Sequence, residues 1–142
     1  MMKIRKCKKS DLRSVFAVYQ LARTAACFQQ EPAADFQDFK SIVEDEKVYA
    51  AVDGERIIAF ISVYPPQSFV HHLYVLPEYR RQGIGEALVE CVRDIFDSPL
   101  SLKCETANKA ALEFYKKTGW NLFDKGSEKD GTEYILLTLD FE

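Results

Sequence analysis

Hydrophobic residues along the chain follow two periods, one typical of strands and one typical of helices. Short apolar runs bounded by turn residues predict strands at 3–7, 48–52, 56–64, 70–76, 100–104, 120–123 and 134–139. Helical spacing predicts helices starting near Ser10, over 35–44, from Ile84 to Phe96, and over 108–118. The helix from Ile84 is the clearest element, with one broad apolar face that includes Ile95. This order of elements predicts a mixed sheet covered by helices.

Turn residues mark the ends of these elements. Asp53-Gly54 between two apolar runs predicts a tight hairpin, because such a turn needs positive φ angles. Ser10 is a suitable N-cap for the first helix, and Gly119 follows the last one. No repeat or linker divides the chain, so we expect one domain over residues 1–142.

Composition and charge restrict the class of protein. The 19 basic and 22 acidic residues give a net charge of −3, which argues against nucleic-acid binding driven by overall charge. No apolar run approaches the ~20 residues that span a bilayer. The first six residues lack the apolar core of a signal peptide. We therefore expect a soluble, cytoplasmic protein with no nucleic-acid or membrane partner.

The cysteine and histidine pattern gives no metal motif. The four cysteines are widely spaced and are expected to be buried thiols: Cys7, Cys27, Cys91 and Cys104. The two histidines, His71 and His72, are adjacent. On a regular strand their side chains point to opposite faces, which is poor geometry for a shared metal, so no metal site is predicted.

A basic, glycine-containing turn carries the clearest chemical signal. A strand ends at Pro77, Arg80 and Arg81 follow, and a helix begins at Gly83 and Gly85. Free N–H groups at a helix start, together with the helix dipole, form a site for an anion such as a phosphate. The P-loop string is absent, and the third position of a Rossmann turn is a leucine here.

Two motifs in the chain resemble those of the GNAT superfamily of acyl-CoA-dependent N-acetyltransferases. Residues 80–85, RRQGIG, fit [RQ]-x-x-G-x-[GA], and residues 73–77, LYVLP, match the strand that precedes it. Residues 108–120, NKAALEFYKKTGW, resemble the second motif, N-x-x-A-x-x-[FL]-Y-x-x-x-G-[FW]. The order of elements covers essentially the whole chain. The resemblance implies an α/β single-domain fold, with a mostly antiparallel sheet splayed between its fourth and fifth strands and about four flanking helices.

The resemblance also implies how the cosubstrate, acetyl-CoA, binds. Main-chain groups of one strand segment pair with the pantetheine arm, and a bulge there opens the acyl channel. The turn and helix start hold the pyrophosphate, and an asparagine adds a further contact. The implied cofactor-binding residues are Leu73, Tyr74, Val75, Arg80, Arg81, Gln82, Gly83, Ile84, Gly85, Glu86, Asn108 and Tyr115. For Asn108, the alternative role is that of a helix N-cap, and the two roles are compatible.

The resemblance implies direct attack of a primary amine on the thioester. Tyr115 matches the general acid that protonates the departing CoA thiolate, although ordinary packing is the alternative for this side chain. His71 or His72 is a candidate base, since histidine titrates in the right range. A structural role for both histidines is the alternative, and Glu105 is a further candidate. No pattern around Cys104 or Cys27 supports an acyl-enzyme.

The acceptor is the part of the reaction that the sequence defines least. In relatives it binds between the segment that is 24–35 here and the hairpin that is 124–133 here, both of which contain acidic residues. These charges suit a cationic amine, although solvated loop charges are the simpler interpretation. The resemblance leaves homodimer formation open. A non-catalytic acyl-CoA-binding or sensor module is the alternative function, and a structural protein whose turn binds nothing is a third.

Overall fold

The computed structural model describes residues 2–26, 35–96 and 98–140. The strands in this part are β1 Met2–Lys6, β2 Lys47–Asp53, β3 Arg56–Tyr64, β4 Phe69–Val75, β5 Leu100–Glu105, β6 Asn121–Ser127 and β7 Glu133–Leu139. The α-helices are α1 Leu12–Ala26, α2 Phe36–Val43, α3 Ile84–Ile95 and α4 Lys109–Lys117. Short 3₁₀ turns occupy Lys9–Asp11, Pro65–Gln67 and Pro77–Tyr79.

The strands form a sheet in the order β1-β2-β3-β4-β5-β7-β6. Every neighbouring pair is antiparallel except β4 and β5. The mixed, mostly antiparallel sheet flanked by four helices confirms the predicted fold class. The parallel pairing of β4 and β5 is limited to two positions, Phe69 with Ser101 and Val70 with Leu102. The carboxyl halves of these two strands are therefore splayed apart, as predicted.

The core lies around β2 and β3, which are buried almost along their whole length. A strand that is buried on both faces needs a helix layer on each side. α1 and α3 both contact β3, and they bring Val15 and Leu88, each fully buried, into the core. Phe39 of α2 lies edge-on to Phe60 of β3 at a ring distance of 6.1 Å. One edge of β4 pairs with β3 in this core, and the other edge, which faces β5, is largely open.

A β-bulge interrupts β4 at the histidines. Ser62 pairs with His72 and the next residue, Val63, pairs with Val70, so His71 is an extra residue in β4. A bulge breaks the alternation of side chains along a strand. The two imidazole rings stack at 4.0 Å with an interplanar angle of 23°. The prediction that they point to opposite faces is therefore wrong, because it assumed a regular strand.

Smaller differences from the predicted elements also have local causes. Ser10 does not cap α1, because it lies inside the turn Lys9–Asp11 that precedes the helix. In that turn, the Asp11 carboxylate accepts hydrogen bonds from the Lys8 backbone N–H at 2.8 Å and from the Arg5 guanidinium. On α3, Val89 is buried, whereas Ile95 is 50% exposed at the end of the helix.

In the described residues, no helix is long and apolar enough to cross a membrane. The assignment of residues 1–142 to one domain extends over more of the chain than the structure describes, and it stays a prediction.

Candidate active site

The turn between β4 and α3 presents unpaired backbone donors beside positive charge. Gly83 occupies the N-cap position of α3 and has no side chain to cap the helix. The N–H groups of the first helical residues after it therefore have no partner within the helix. Arg80 and Arg81 are exposed, and within the described part of the chain neither guanidinium group forms a hydrogen bond or an ion pair. This arrangement suits an anionic group such as a pyrophosphate.

The two glycines of the turn have different structural roles. Gly83 has a φ of 77°, a left-handed conformation that other residues adopt only with strain. Gly85 has an ordinary helical backbone, but a Cβ there would lie 3.3 Å from the Phe114 ring and 3.9 Å from Val75. Gly83 thus shapes the turn, and Gly85 lets α3 pack closely against α4 and β4. The group that lies closest to Gly85 is the Phe114 ring, so this glycine makes room for a side chain and not for a ligand.

An open strand edge lies next to this turn. Leu73, Tyr74 and Val75 pair with residues 61, 60 and 59 of β3 on one side. On the other side, the described pairing with β5 ends at Val70. Because main-chain groups point alternately to the two edges of a strand, some of those in this segment face the gap. An extended ligand can therefore add to β4 as if it were another strand.

Tyr74 of β4 packs against side chains of α1 beside this open edge. The Tyr74 hydroxyl accepts a hydrogen bond from Arg23 Nη1 at 3.1 Å, and its ring lies edge-on to Tyr19 at 5.6 Å. Burial raises the pKa of Tyr74, and the nearby Arg23 charge partly opposes this shift. The negative charge of Glu105, at the end of β5, also acts on both Tyr74 and Arg23. The charge of Glu105 therefore reaches across the gap between β4 and β5 to Tyr74 and to Arg23 of α1.

Tyr115 lies on the buried face of α4 and is 9% exposed. Its ring packs edge-on against Trp120 at 5.6 Å and against Phe114 at 5.3 Å. Burial, with smaller contributions from Cys104 and Tyr74, raises the pKa of Tyr115 far above its ordinary value. Its hydroxyl makes no hydrogen bond within the described residues. The phenol is therefore a neutral proton donor at physiological pH, and the structure contains the packing that was the alternative role.

Asn108 has the capping role predicted as its alternative. Its Oδ1 accepts a hydrogen bond from the Ala111 N–H at 3.1 Å and so caps α4. This bond uses the carbonyl oxygen of the side chain, and the amide nitrogen remains for a ligand. The predicted contact with coenzyme A stays a prediction.

The two histidines differ sharply in environment although their rings stack. His72 is 7% exposed, and its Nδ1 lies 2.8 Å from Ser62 Oγ. Burial, followed by the charges of His71 and Arg23, lowers the pKa of His72 to about 3, so the ring is neutral. The side chain of His71 is 42% exposed, and its Nδ1 lies 2.6 Å from Glu46 Oε2.

Glu46 lies between α2 and β2, and its side chain is 6% exposed. Together with His71 and His72 it forms a group whose potential ligand atoms lie within 4.8 Å of one another. The sequence prediction placed the two histidines on opposite faces of the strand. The bulge instead brings them together in a cluster with Glu46. Glu46 precedes His71 by 25 residues, and no motif connects the two, so the sequence pattern does not indicate this contact.

The residues assigned to the acceptor are only partly described. Most of segment 24–35, and Cys27 with it, lies outside the described residues. In the β6–β7 hairpin, Glu128 pairs with Lys103 at 2.7 Å, and Asp130 accepts a hydrogen bond from the Thr132 N–H. These two acidic groups therefore have local structural partners. Burial raises the pKa of Cys104 to about 11, so it is a neutral thiol, not an activated nucleophile.

Comparison with known proteins agrees with this geometry. The sequence pattern of the Acetyltransferase (GNAT) family matches residues 12–120. The chain belongs to this family of N-acetyltransferases. The match includes the turn before α3 and the Tyr115 helix, which are the two segments that carry the sequence motifs.

Individual relatives are more distant. A [Ribosomal protein bS18]-alanine N-acetyltransferase of Escherichia coli K12 is 29% identical over 93 residues, which are 54% of this chain and 63% of that protein. The matched segments span about half to just under two thirds of the curated relatives' lengths. The crystal structure of the Escherichia coli ribosomal-protein-S18-alanine N-acetyltransferase has a TM-score of 0.79 at 23% identity, covering 100% of this chain and 95% of that one. The PaiA N-acetyltransferase of Thermoplasma acidophilum, solved with coenzyme A, has a TM-score of 0.78 at 18% identity, covering 99% of each chain.

Proposed function

We propose that this protein transfers an acetyl group from acetyl-CoA to a primary amine by direct attack. The observation that carries the proposal is the open edge of β4 lying between the uncapped start of α3 and the buried Tyr115. A ligand with a pyrophosphate at one end and an extended arm at the other matches that combination. A solved structure of a family relative in complex with coenzyme A supports the choice of ligand.

In this proposal, each part of the site binds one part of acetyl-CoA. The N–H groups of residues 82–86 and the guanidinium groups of Arg80 and Arg81 hold the pyrophosphate. Main-chain groups of Leu73, Tyr74 and Val75 pair with the pantetheine arm. The thioester then lies near the bulge, and a β4 N–H polarises its carbonyl. Asn108 contributes through its amide nitrogen.

The proton transfers are assigned to side chains around the gap. The amine nitrogen forms a bond to the acetyl carbonyl carbon, and the C–S bond to coenzyme A breaks. Tyr115 donates its proton to the departing thiolate, which its neutral phenol permits. The amine loses a proton to a base. His71 suits this role better than His72, because a buried ring with a pKa of about 3 is a poor acceptor at neutral pH. Glu105 is the remaining candidate.

The acceptor class that we propose to test first is the amine of a peptide or protein. The curated relative named above is described as acting on the alanine of a ribosomal protein. Small amines form the comparison set, since fold similarity does not fix a substrate. A cytoplasmic location and a homodimer also stay predictions.

The proposal predicts a specific result for Tyr115→Phe. Loss of the general acid should reduce kcat about 100-fold, while the dissociation constant for CoA should change less than about twofold. The release of CoA with a panel of acceptors measures kcat, and calorimetry measures the dissociation constant for CoA. Tyr49→Phe is the matched control, because Tyr49 is also buried but lies on β2. The control should leave both values unchanged.

The same CoA-binding and CoA-release measurements distinguish acetyl transfer from the alternative function. Tight binding of CoA without acetylation of any amine, peptide or protein would support a non-catalytic acyl-CoA-binding module instead. Absence of CoA binding would overturn both. If Tyr115→Phe abolished CoA binding, the assignment of Tyr115 as the general acid would be wrong.

A further inference from the structure

We propose that Glu46 is a positioning residue that fixes the protonation pattern of His71 for proton transfer. In this proposal, the Glu46 carboxylate accepts the Nδ1–H of His71, which leaves Nε2 as the unprotonated acceptor for the amine proton. The inference rests on the proposed acetyl transfer and identifies His71 as its base.

The hydrogen bond determines which nitrogen carries the proton. Glu46 Oε2 lies 2.6 Å from His71 Nδ1, a length typical of a strong charge-assisted bond. A carboxylate can accept but cannot donate, so Nδ1 must be the protonated nitrogen of the neutral ring. The partner on one nitrogen of a histidine thereby decides the role of the other. With 42% of the side chain exposed, His71 has access to an incoming amine.

The contact between Glu46 and His71 differs from a surface ion pair because the carboxylate is buried. Its side chain is 6% exposed, and its second oxygen, Oε1, has no hydrogen-bond partner in the described structure. That oxygen lies 3.9 Å from Nδ1 of His72. A buried carboxylate with a single hydrogen-bond donor can stabilise positive charge that develops on that donor.

The transfer step is balanced without another reactant. The amine N–H bond breaks as the lone pair of His71 Nε2 forms a bond to the proton. His71 becomes an imidazolium whose charge is compensated by Glu46 through Nδ1–H. The proton is later released to solvent, because the ring is partly exposed.

His72 supports the same ring from the other side. It is neutral, it is within hydrogen-bond distance of Ser62, and it stacks on His71 at 4.0 Å. Side chains from neighbouring elements surround His72. The titratable or charged groups that face it are Tyr19 and Arg23 of α1, His71 and Tyr74 of β4, and Glu46. Arg23 is the cation among them, and its charge acts on His72.

A divalent metal is the competing occupant of this cluster. The three side chains form a two-histidine, one-carboxylate set. Two ligands of one tetrahedral zinc, each about 2 Å from the ion, are separated by about 3.3 Å. The 2.6 Å contact between Glu46 and His71 is shorter, and Ser62 already lies 2.8 Å from Nδ1 of His72. These distances favour a shared proton over a shared ion.

The first experiment measures the tautomer of His71 by ¹H–¹⁵N correlation NMR on the full chain. The wild type should show His71 protonated on Nδ1 in its neutral form. Glu46→Ala should shift the ring toward the Nε2–H form, and Glu44→Gln, an exposed neighbour, should not. An Nε2–H ring in the wild type would overturn the inference. Because this readout needs no acceptor, it is independent of whether acetyl transfer is found.

The second experiment measures turnover with Glu46→Gln, which keeps the volume and removes the charge. We expect kcat to fall at least about tenfold, with the KM for acetyl-CoA within about twofold of wild type. Unchanged kcat would overturn the role of Glu46. Loss of activity on treatment with EDTA, restored by Zn²⁺, would overturn it in favour of the metal. An Nδ1–H ring in a protein that transfers no acetyl group would contradict the proposed function and the catalytic role together.

Discussion

The two ends of β4 contribute to the proposed site in different ways. At its carboxyl end, the turn into α3 is built from consecutive residues, and its donors are backbone N–H groups and two exposed arginines. At its amino end, the bulge collects side chains from α1, the α2–β2 turn and β3 around two histidines. The first part is local and suits binding of a constant ligand. The second is assembled over long sequence distances and suits chemistry that depends on protonation.

Among the effects that compare the two ends of β4, the largest expected one is a loss of stability at the bulge as the pH falls. His72 has a pKa of about 3 in the folded chain and about 6.5 when unfolded. The unfolded state therefore binds the proton first, so stability is complete above pH 6.5 and decreases as the pH falls toward 3. Between pH 7 and pH 5, protonation of His72 in the unfolded state should lower the free energy of unfolding by about 2 kcal/mol, which is about a 30-fold change in the unfolding constant.

His72→Asn should remove that contribution, because asparagine keeps a polar group near Ser62 but does not titrate. The measurement is denaturant unfolding at pH 7 and pH 5 for wild type and variant. His71→Asn is the comparison variant and should retain most of the wild-type pH dependence, because burial, the largest cause of the His72 pKa shift, remains. An equal loss of stability in wild type and His72→Asn would show that His72 is not the buried neutral group.

A smaller effect, on CoA binding, should distinguish the turn before α3 from the glycine turn of the β6–β7 hairpin. Gly83 and Gly131 both have positive φ, 77° and 93°, and a Cβ at either position meets no atom within 4 Å. Alanine at either position should cost about 1 kcal/mol of stability from backbone strain. Only Gly83→Ala should also weaken CoA binding, by about tenfold, because it displaces the charge-assisted donors.

Calorimetry with CoA and thermal denaturation give the two values for each variant. If Gly83→Ala and Gly131→Ala weakened CoA binding equally, the turn before α3 would not be the pyrophosphate site.

The smallest expected effect concerns the exposed arginines. Arg80→Ala and Arg81→Ala should each weaken CoA binding about threefold, and the effect should decrease with added salt, since solvent-exposed charges are screened. Arg13→Ala, on the exposed side of α1, is the control and should leave CoA affinity unchanged. A salt-independent loss of affinity would indicate that the arginines support the turn structurally and do not attract the anion.

Sequence reading was most successful where neighbours in the chain are neighbours in space. The start of α3 at Ile84 and the strand β3 have the predicted bounds, and the hairpin at Gly54 lies within one residue of its prediction, because turn residues and periodicity encode them locally. It was least successful at His71 and His72. The resemblance implied a bulge in this strand, but its position at His71 and its effect on the two rings depend on pairing with β3. Asn108 shows an intermediate case, where the sequence predicted both roles and the structure contains the cap.

By itself, the sequence determined the order of strands and helices, the glycine turn with its arginines, and the motif containing Tyr115. These features depend on residue type and short spacing, which backbone geometry translates directly into structure. The resemblance implied the splay of β4 from β5, but only the tertiary structure decided that the strands separate after Val70, that Tyr115 is buried against Trp120, and that Glu46 reaches His71. Each of these results from packing between segments far apart in the chain, where the contact is set by the whole fold and not by either segment alone.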